Sequence, residues 1–297
     1  MRGEEKTITR RDFLKAAAGT AWALSWTTGL EGEVKGETTA KVVLIRRQEV
    51  FNAKGEIQPD VVQEMLDEAL SVFYGEKNYL LVWKRLFQEG DIVGIKSNVW
   101  WHLPTPREVE RAIQRRLVEA GVAPKNIGLD DRGVLKNPIF QRATALINVR
   151  PLRTHHWSGI GGCLKNYIMF VPDPSAYHGE ACADLGKIWN YPIVKGKTRL
   201  NILCAFTPQF YGRGAHFFDR RYVWPYGGLI VGTDPVAVDA VGARLLQLKR
   251  LSYFGEDKAL DVPPVHIAEA EKKYKIGVSD LRRIQILKVG WMEDSLI

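Results

Sequence analysis

Residues Arg150–Pro172 read RPLRTHHWSGIGGCLKNYIMFVP and follow an apolar, strand-like run, Ala145–Val149. The stretch holds two adjacent histidines, three glycines, a cysteine, a lysine and an asparagine. In α/β proteins, ligands bind just past the carboxyl end of a strand, where a glycine-rich turn leads into a helix. The sequence therefore predicts a ligand site in this stretch and a fold that supports it.

Strand-like and helix-like segments alternate ahead of this stretch. The strand-like runs lie at 41–47, 91–99, 126–131 and 143–149, and the helical patterns lie at 59–86 and 105–120. The run at 91–99 is apolar at its centre, as in a buried parallel strand. This alternation predicts an α/β fold with a mostly parallel, Rossmann-like sheet and helices on both faces, in a single domain over residues 41–297.

Polar side chains stand where these predicted strands end. The carboxyl ends of parallel strands share one edge of a sheet, so we expect these side chains to meet the glycine-rich stretch there. Asp130 and Asp131 end the third strand. The candidate ligand-binding residues are Lys96, Asn98, Gly159, Gly161, Gly162, Lys165, Asn166, Asp234 and Asp239.

The glycines of Ser158–Asn166 (SGIGGCLKN) allow two interpretations. Their backbone amides could bind an anion, with Lys165 adding a charge and the following helix adding its dipole. Alternatively, the glycines only permit tight packing of a turn. The spacing excludes a Walker A loop, which requires Lys followed by Ser or Thr.

His155, His156 and Lys165 are the candidate catalytic residues. Adjacent side chains of an extended chain point to opposite sides, so we expect at most one of the two histidines to face the site. A metal ligand, a general base and a structural histidine all stay open.

The three cysteines, Cys163, Cys182 and Cys204, are widely spaced and contain no C-x-x-C pair. On their own they cannot form a four-thiolate zinc site or an iron–sulfur cluster. A mixed site with a histidine such as His178 leaves room for a metal, although no spacing supports it. The cofactor is therefore unknown.

The run Gly232–Leu246 (GTDPVAVDAVGARLL) predicts a helix that Thr233 or Asp234 caps. Capping alone can explain Asp234. Asp239 stands among apolar residues on nearly all sides of this helix, so we expect it to be buried and to need a partner, which could be a lysine, an arginine, a backbone amide group or a metal. A structural ion pair is the alternative to a ligand-binding role, with Lys96 and Lys165 as candidate partners.

Eight aromatic residues fall within Phe206–Tyr226, which also contains Gly212 and Gly214. This segment is predicted to be a long aromatic-rich loop between two strands, and such loops often form lids or binding walls. The alternative is a hydrophobic cluster that fixes the loop.

The first 40 residues contain an export-like segment. TRRDFLK (Thr9–Lys15) carries Arg10 and Arg11 ahead of a weakly apolar stretch and resembles a twin-arginine signal. This predicts a signal and linker over residues 1–40, the twin-arginine translocase as a partner and a periplasmic or other extracytoplasmic location. Cleavage after Gly29 or Ala40, an uncleaved anchor and an amphipathic helix retained in the cytoplasm stay open.

The composition suits a full hydrophobic core, with 297 residues of which 45% are hydrophobic and 26% charged. The formal charge of +8 is spread in pairs such as Arg46–Arg47 and Arg115–Arg116. Such pairs are typical of solvated faces, and they also suit an anionic small molecule. No recognition motif accompanies the charge, so no nucleic acid is predicted as a partner.

Four motifs occur in order, GIKSN, TPREVERAIQRRLVEAGV, NVRPLRTHHWSGIGGCLKN and GGLIVGTDPVAVDAVGARLL. Together they resemble the uncharacterised family "domain of unknown function 362" over nearly everything from Lys41 onward. Arg153 stands where this family usually has a lysine, and Cys204 where it often has an aspartate. The resemblance implies a site but no established activity. An exported enzyme or cofactor protein and a non-catalytic binding or scaffold protein both stay open.

Overall fold

The computed structural model describes residues 40–297, which form a sheet of eight strands with helices on both faces. These residues belong to one compact unit. The predicted signal, with Arg10 and Arg11, lies outside the described residues. The strands are β1 (Ala40–Arg46), β2 (Val93–Lys96), β3 (Ile127–Asp130), β4 (Ala145–His155), β5 (Gly159–Gly161), β6 (Thr198–Gln209), β7 (Gly228–Gly232) and β8 (Ile284–Gly290).

Eight helices accompany these strands in the described part of the chain. They are α1 (Pro59–Tyr74), α2 (Tyr79–Leu86), α3 (Arg107–Glu119), α4 (Pro138–Arg142), α5 (Cys163–Asn166), α6 (Leu185–Ile188), α7 (Pro235–Phe254) and α8 (Val265–Lys272). No helix between residues 40 and 297 has the length and apolar character of a membrane span.

The strand order is β3-β2-β4-β6-β7-β1-β8, and β5 pairs with β4 outside this series. β3, β2, β4 and β6 run parallel to one another, as do β1 and β8. β7 and the short β5 run antiparallel to their neighbours. The structure therefore confirms the predicted α/β fold with a mostly parallel sheet.

The two faces of the sheet are covered by different helices. Side chains of α1, α2 and α3 pack on one face, where they contact strand residues such as Ile95 and Ile147. α5, α6, α7 and α8 pack on the other face, against strand residues such as Leu146 and Leu203. Because α7 is enclosed by the sheet, α5 and α8, it is apolar on nearly all sides.

Three elements differ from the sequence-based prediction. The helical pattern at 59–86 forms two helices, because Gly75 adopts a left-handed conformation that ends α1. β4 continues beyond Val149 to His155, because it pairs with β6 as far as Gln209 despite a register shift after Pro151. The candidate stretch therefore begins as a strand and then forms a hairpin with β5.

The predicted aromatic loop starts after β6, so Phe206 belongs to the sheet and the loop begins at Phe210. Phe210 contacts the rings of Tyr222, Trp224 and Tyr253, and these contacts fix part of the loop to the end of α7. The middle of the loop has another role, since His216 reaches the carboxyl edge of the sheet and contacts two rings there. The loop is therefore both a hydrophobic cluster and a wall beside the candidate site.

Candidate functional site

Lys96 ends β2 and is fully buried. Its Nζ donates hydrogen bonds to Asp131 Oδ1 at 2.5 Å, to the Ser97 carbonyl at 2.7 Å and to Asn166 Oδ1 at 3.3 Å. Burial lowers the pKa of Lys96 to about 8, although Asp131 opposes this shift. Burial acts to raise the pKa of Asp131, but Lys96 holds it below its usual value. Lys96 and Asp131 therefore form a buried ion pair.

Asn166 ties helix α5 to the strands beneath it. Its Nδ2 donates to the Lys96 carbonyl at 3.1 Å and to Asn148 Oδ1 at 2.8 Å, and its Oδ1 accepts from Asn98 Nδ2 at 3.4 Å. Asn148 Nδ2 in turn donates to the Cys163 carbonyl at 3.0 Å. The structure brings Lys96, Asn98 and Asn166 together as expected, but their polar groups largely satisfy one another.

The amides that follow Gly162 bind a carboxylate of the protein itself. The backbone N–H groups of Cys163 and Leu164 donate to Asp239 Oδ1 and Oδ2, at 2.5 Å and 2.9 Å. A Cβ at Gly162 would lie 2.2 Å from Asp239 Oδ1, so only glycine allows this approach. These two amides are therefore engaged by Asp239, and the predicted anion cradle is wrong at this turn.

Asp239 is fully buried, as expected, and of the expected kinds of partner it binds backbone amides, whereas the candidate lysines Lys96 and Lys165 do not pair with it. It binds the first turn of α5 because α7 crosses beneath that turn. Burial raises the pKa of Asp239 to about 7, although the hydrogen bonds from the two amides and the charge of Arg150 act to lower it. This carboxylate therefore changes its charge near neutral pH.

The other two glycines of the stretch also serve close packing. Gly159 has a φ of 70°, and a Cβ there would lie 2.7 Å from the Val262 carbonyl oxygen. A Cβ at Gly161 would lie 2.7 Å from Arg150 Nη2. The packing interpretation of the glycine-rich stretch therefore holds at all three positions.

Asp234 caps helix α7 and does not join the site. It accepts hydrogen bonds from the backbone N–H groups of Val236, Ala237 and Val278. β7 runs antiparallel to β6, so Asp234 follows it at the opposite edge of the sheet. The capping explanation of Asp234 is therefore confirmed, and its prediction as a ligand-binding residue at the carboxyl edge is wrong.

A cationic cleft lies at the carboxyl edge, where β4 ends. It is narrow, with no room for a water-sized sphere, and a wider depression of about 420 Å³, open to solvent, is lined by residues such as Arg132 and Lys136. We favour the cleft because it contains buried and perturbed titratable groups, which cluster at functional sites. The cleft is lined by Trp100, Arg153, His155, His156, Arg213 and His216.

Both adjacent histidines line this cleft, so the expectation that at most one faces the site is wrong. β4 ends at His155 and the chain turns there, so the alternation of a strand no longer separates the two side chains. Their rings stack with centroids 4.9 Å apart. Burial lowers the pKa of each histidine, and positive neighbours lower it further, His216 foremost for His156 and Lys165 for His155. Both imidazoles are therefore neutral at pH 7.

Arg153 is 1% exposed, and it lies beneath the histidines. Its Nη1 donates to the Leu103 carbonyl at 3.0 Å, and its Nη2 donates to Asn98 Oδ1 at 3.1 Å. Its Nε has no hydrogen-bond partner among the described residues, and the same holds for Arg150 Nε. Burial lowers the pKa of Arg150 to about 10. Two buried guanidinium groups thus retain a free donor.

Lys165 lies on α5 and is 4% exposed. Its one hydrogen-bond acceptor among residues 40–297 is Cys182 Sγ, at 3.7 Å, and the ring of Trp157 lies 6.0 Å from Nζ. Burial lowers the pKa of Lys165 to about 8. The backbone at Glu180, Ala181 and Cys182 is left-handed, which is rare for three consecutive non-glycine residues.

The described residues contain no group of three His, Cys, Asp or Glu side chains arranged to hold a metal ion. Cys163, Cys182 and Cys204 are buried free thiols, and Cys204 packs on the opposite face of the sheet from α5. His178 stacks on Trp157, with ring centroids 3.9 Å apart. The mixed metal site of histidine and thiolate ligands that the sequence left open is therefore not assembled in the part of the chain that the structure describes.

Several residues of the site were not singled out from the sequence. Arg150 and Arg153 belong to the stretch Arg150–Pro172. Because arginine is rarely buried without a partner, the sequence did not predict that both side chains would be buried. Arg213 and His216 reach the cleft from the aromatic loop, where the sequence indicated a binding wall as one interpretation but no partner for either residue. Trp100 carried no motif. An unusual density of arginine and histidine around β4 was the one available signal.

Helix α5, the first half of α7 and every residue that lines the cleft except Trp100 fall within one recognisable segment. No curated protein and no solved structure matches the chain significantly. Residues 128–244 match the family model described as "Domain of unknown function (DUF362)". The resemblance to this family is therefore confirmed for residues 128–244, the segment that carries Arg150, Arg153, Lys165 and Asp239.

Proposed function

We propose that this protein binds an anionic small molecule in the cationic cleft, after export by the twin-arginine route. The observation that carries the proposal is an excess of buried positive charge. Four cationic side chains lie buried at this edge, whereas two carboxylates, Asp131 and Asp239, are buried with them. The four cations are Lys96, Arg150, Arg153 and Lys165.

A buried charge without a partner is costly, so this excess disfavours the folded state unless an anion offsets it. The carboxylates do not supply the compensation, since Asp131 is paired with Lys96 and Asp239 is protonated in part near pH 7. A bound carboxylate or phosphate would accept hydrogen bonds from the guanidinium groups, which suit such anions in geometry and charge.

The cleft limits the size of this anion. As it stands, it leaves no room for a water-sized sphere, far below the ~300 Å³ at which sites for drug-sized ligands begin. Arg213 and His216 form its outer wall and belong to the aromatic loop. A small acid therefore fits better than a dinucleotide, and it would enter when this wall moves outward.

Thermal unfolding with added anions tests the proposal. At constant ionic strength, small carboxylates or phosphate should stabilise the folded protein by about 2.7 kcal/mol at a concentration of 100 times Kd. Arg153→Gln and the less buried His156→Gln should each reduce this stabilisation. The matched control is Arg221→Gln, an exposed arginine of the same loop that pairs with Asp219 at 2.6 Å. The proposal would be contradicted if the control lost as much of the anion-induced stabilisation as the other two variants, or if no anion stabilised the protein.

The export part rests on Arg10 and Arg11. A protein with both replaced by lysine should stay in the cytoplasm of a host whose twin-arginine pathway works, whereas Lys15→Gln should be exported. Immunoblots of the cytoplasmic and exported cell fractions measure the location of each variant. Equal distribution of the two variants would remove the export proposal and leave the anion proposal intact.

A second candidate function, non-catalytic binding of a partner, is favoured by exposed apolar side chains near the cleft. Trp101 is 78% exposed, and Val99, Trp157 and Phe217 are also exposed. Contiguous exposed apolar surface is typical of interaction sites. Native mass spectrometry separates the two functions, since co-purification of a small acid supports the first and bare chain mass without anion stabilisation favours the second.

A further inference from the structure

Lys165 occupies an environment that is unusual for a buried lysine. An ammonium group has three donors, and in the described structure Lys165 has a single weak acceptor, Cys182 Sγ at 3.7 Å. No carboxylate among residues 40–297 forms a salt bridge with it. The neutral amine is therefore favoured here far more than at a solvated lysine.

Cys182 does not provide the missing negative charge. Its thiol donates to the Trp157 carbonyl at 3.3 Å, and burial raises the pKa of this thiol above its usual value. The sulfur thus accepts a hydrogen bond from Lys165 while it keeps its own proton. An N–H group of the amine is held in this way, and its lone pair stays free to react.

The surroundings of Lys165 are rich in nitrogen groups. Its charge contributes to the lowered pKa values of four histidines. The ring of Trp157, 6.0 Å from Lys165 Nζ, contacts the rings of His156 and His178, with centroids 4.3 Å and 3.9 Å apart. Two of the four histidines line the cationic cleft. One of the others, His266, is fully buried, and neither of its ring nitrogens has a hydrogen-bond partner in the described structure. The four are His155, His156, His178 and His266.

We infer that Lys165 is a nucleophilic amine that forms an imine with the carbonyl carbon of a small oxo acid. The inference rests on the proposed anion binding, since the carboxylate of the oxo acid would lie in the cationic cleft near Arg153. Desolvation and neighbouring cations are the two conditions that activate a lysine for this reaction. Both are present at Lys165, since it is buried and the charge of Arg150 acts on it.

The reaction balances without an oxidant or reductant. The Nζ lone pair attacks the carbonyl carbon, the C–N bond forms, and the π electrons of the carbonyl move to its oxygen. One proton passes from nitrogen to that oxygen to give a carbinolamine. Loss of the hydroxyl group with the second amine proton releases one water and leaves the C=N bond. The histidines around Lys165 can carry these protons, because a neutral imidazole both accepts and donates.

Reductive trapping tests the inference. The folded full-length protein is incubated with pyruvate or glyoxylate and cyanoborohydride at about pH 8, and the modified peptides are mapped by mass spectrometry. Lys165 should be labelled at least about tenfold faster than the other lysines, which equals a barrier difference of about 1.4 kcal/mol. Lys96 is the internal control, because it is equally buried but paired with Asp131. His156→Gln should slow labelling of Lys165, and Lys165→Met should abolish it.

The outcomes separate this inference from the proposed function. Stabilisation by lactate or phosphate without labelling of Lys165 would overturn the imine and leave anion binding in place. Absence of both effects would overturn both proposals. Labelling confined to exposed lysines would also overturn the imine. This outcome is measured on the wild-type protein, so it does not depend on the folding of any variant.

Discussion

Lys96 and Lys165 are two buried lysines at the same edge of the sheet, with opposite surroundings. Burial lowers the pKa of each to about 8. Lys96 donates to Asp131 at 2.5 Å and to two further oxygens, whereas Lys165 contacts a thiol at 3.7 Å. A buried charge with a counter-ion supplied by the fold is structural, and one without it is available for a ligand.

Asp239 reaches the same helix as Lys165, α5, but does not pair with it. Both oxygens of this carboxylate bind the amides of Cys163 and Leu164. Gly162 makes that approach possible because it has no side chain. The carboxylate that reaches α5 thus binds the backbone of its first turn, and Lys165 has no carboxylate partner in the described structure.

Replacement of each lysine by methionine gives the largest expected difference between the two regions. Lys96→Met leaves Asp131 buried and unpaired, so the free energy of unfolding should fall by about 3–5 kcal/mol. Lys165→Met removes a charge that has no counter-ion, so the free energy of unfolding should stay within about 1 kcal/mol or rise. Urea unfolding followed by circular dichroism measures both. If both variants lost the same free energy of unfolding, Lys165 would have a stabilising partner, and the contrast with Lys96 would be refuted.

A methyl group at Gly162 tests the role of Asp239 in this difference. Gly162→Ala places Cβ 2.2 Å from Asp239 Oδ1, so the carboxylate must move and the free energy of unfolding should fall by about 1–3 kcal/mol. Gly179→Ala is the matched control, because nothing lies within 4 Å of its Cβ position. If thermal unfolding showed no difference between these two variants, the contact between Gly162 and Asp239 would be refuted.

The pH dependence of stability gives a smaller effect. The pKa of Lys165 is about 8 in the folded protein and lies near its ordinary value of 10.5 in the unfolded chain. Between these values the unfolded chain binds the extra proton, so this group makes the folded protein more stable as pH rises, by at most about 1.4 kcal/mol per pH unit. The stability of Lys165→Met relative to the wild type should therefore be highest below about pH 8 and decline above it.

Urea titrations of both proteins between about pH 7 and pH 9 measure this decline, because groups that titrate alike in the two proteins cancel in the stability difference. A stability difference that stays constant across this range would mean that Lys165 keeps an ordinary pKa. In that case Lys96 and Lys165 would differ in their hydrogen-bond partners, and the isolation of Lys165 would have no effect on its protonation.

The sequence by itself determined the features that depend on local chemistry. Alternating strand and helix patterns predicted the α/β fold, since the period of apolar residues reflects local backbone geometry. Asp234 before a proline predicted a helix cap, and the apolar surroundings of Asp239 predicted its burial. Lys96, Asn98 and Asn166 were expected at one edge because parallel strands end together, and the structure brings these three side chains together there.

The tertiary structure alone decided which groups meet. β7 runs antiparallel, which places Asp234 at the opposite edge, and no local pattern records the direction of a strand relative to a partner far along the chain. Asp239 binds amides some 75 residues earlier, and the turn after β4 brings both histidines to one cleft. Partner choice depends on packing between distant segments. For that reason the stretch Arg150–Pro172 was identified from the sequence, but the isolation of Lys165 from every counter-ion in the described structure was not.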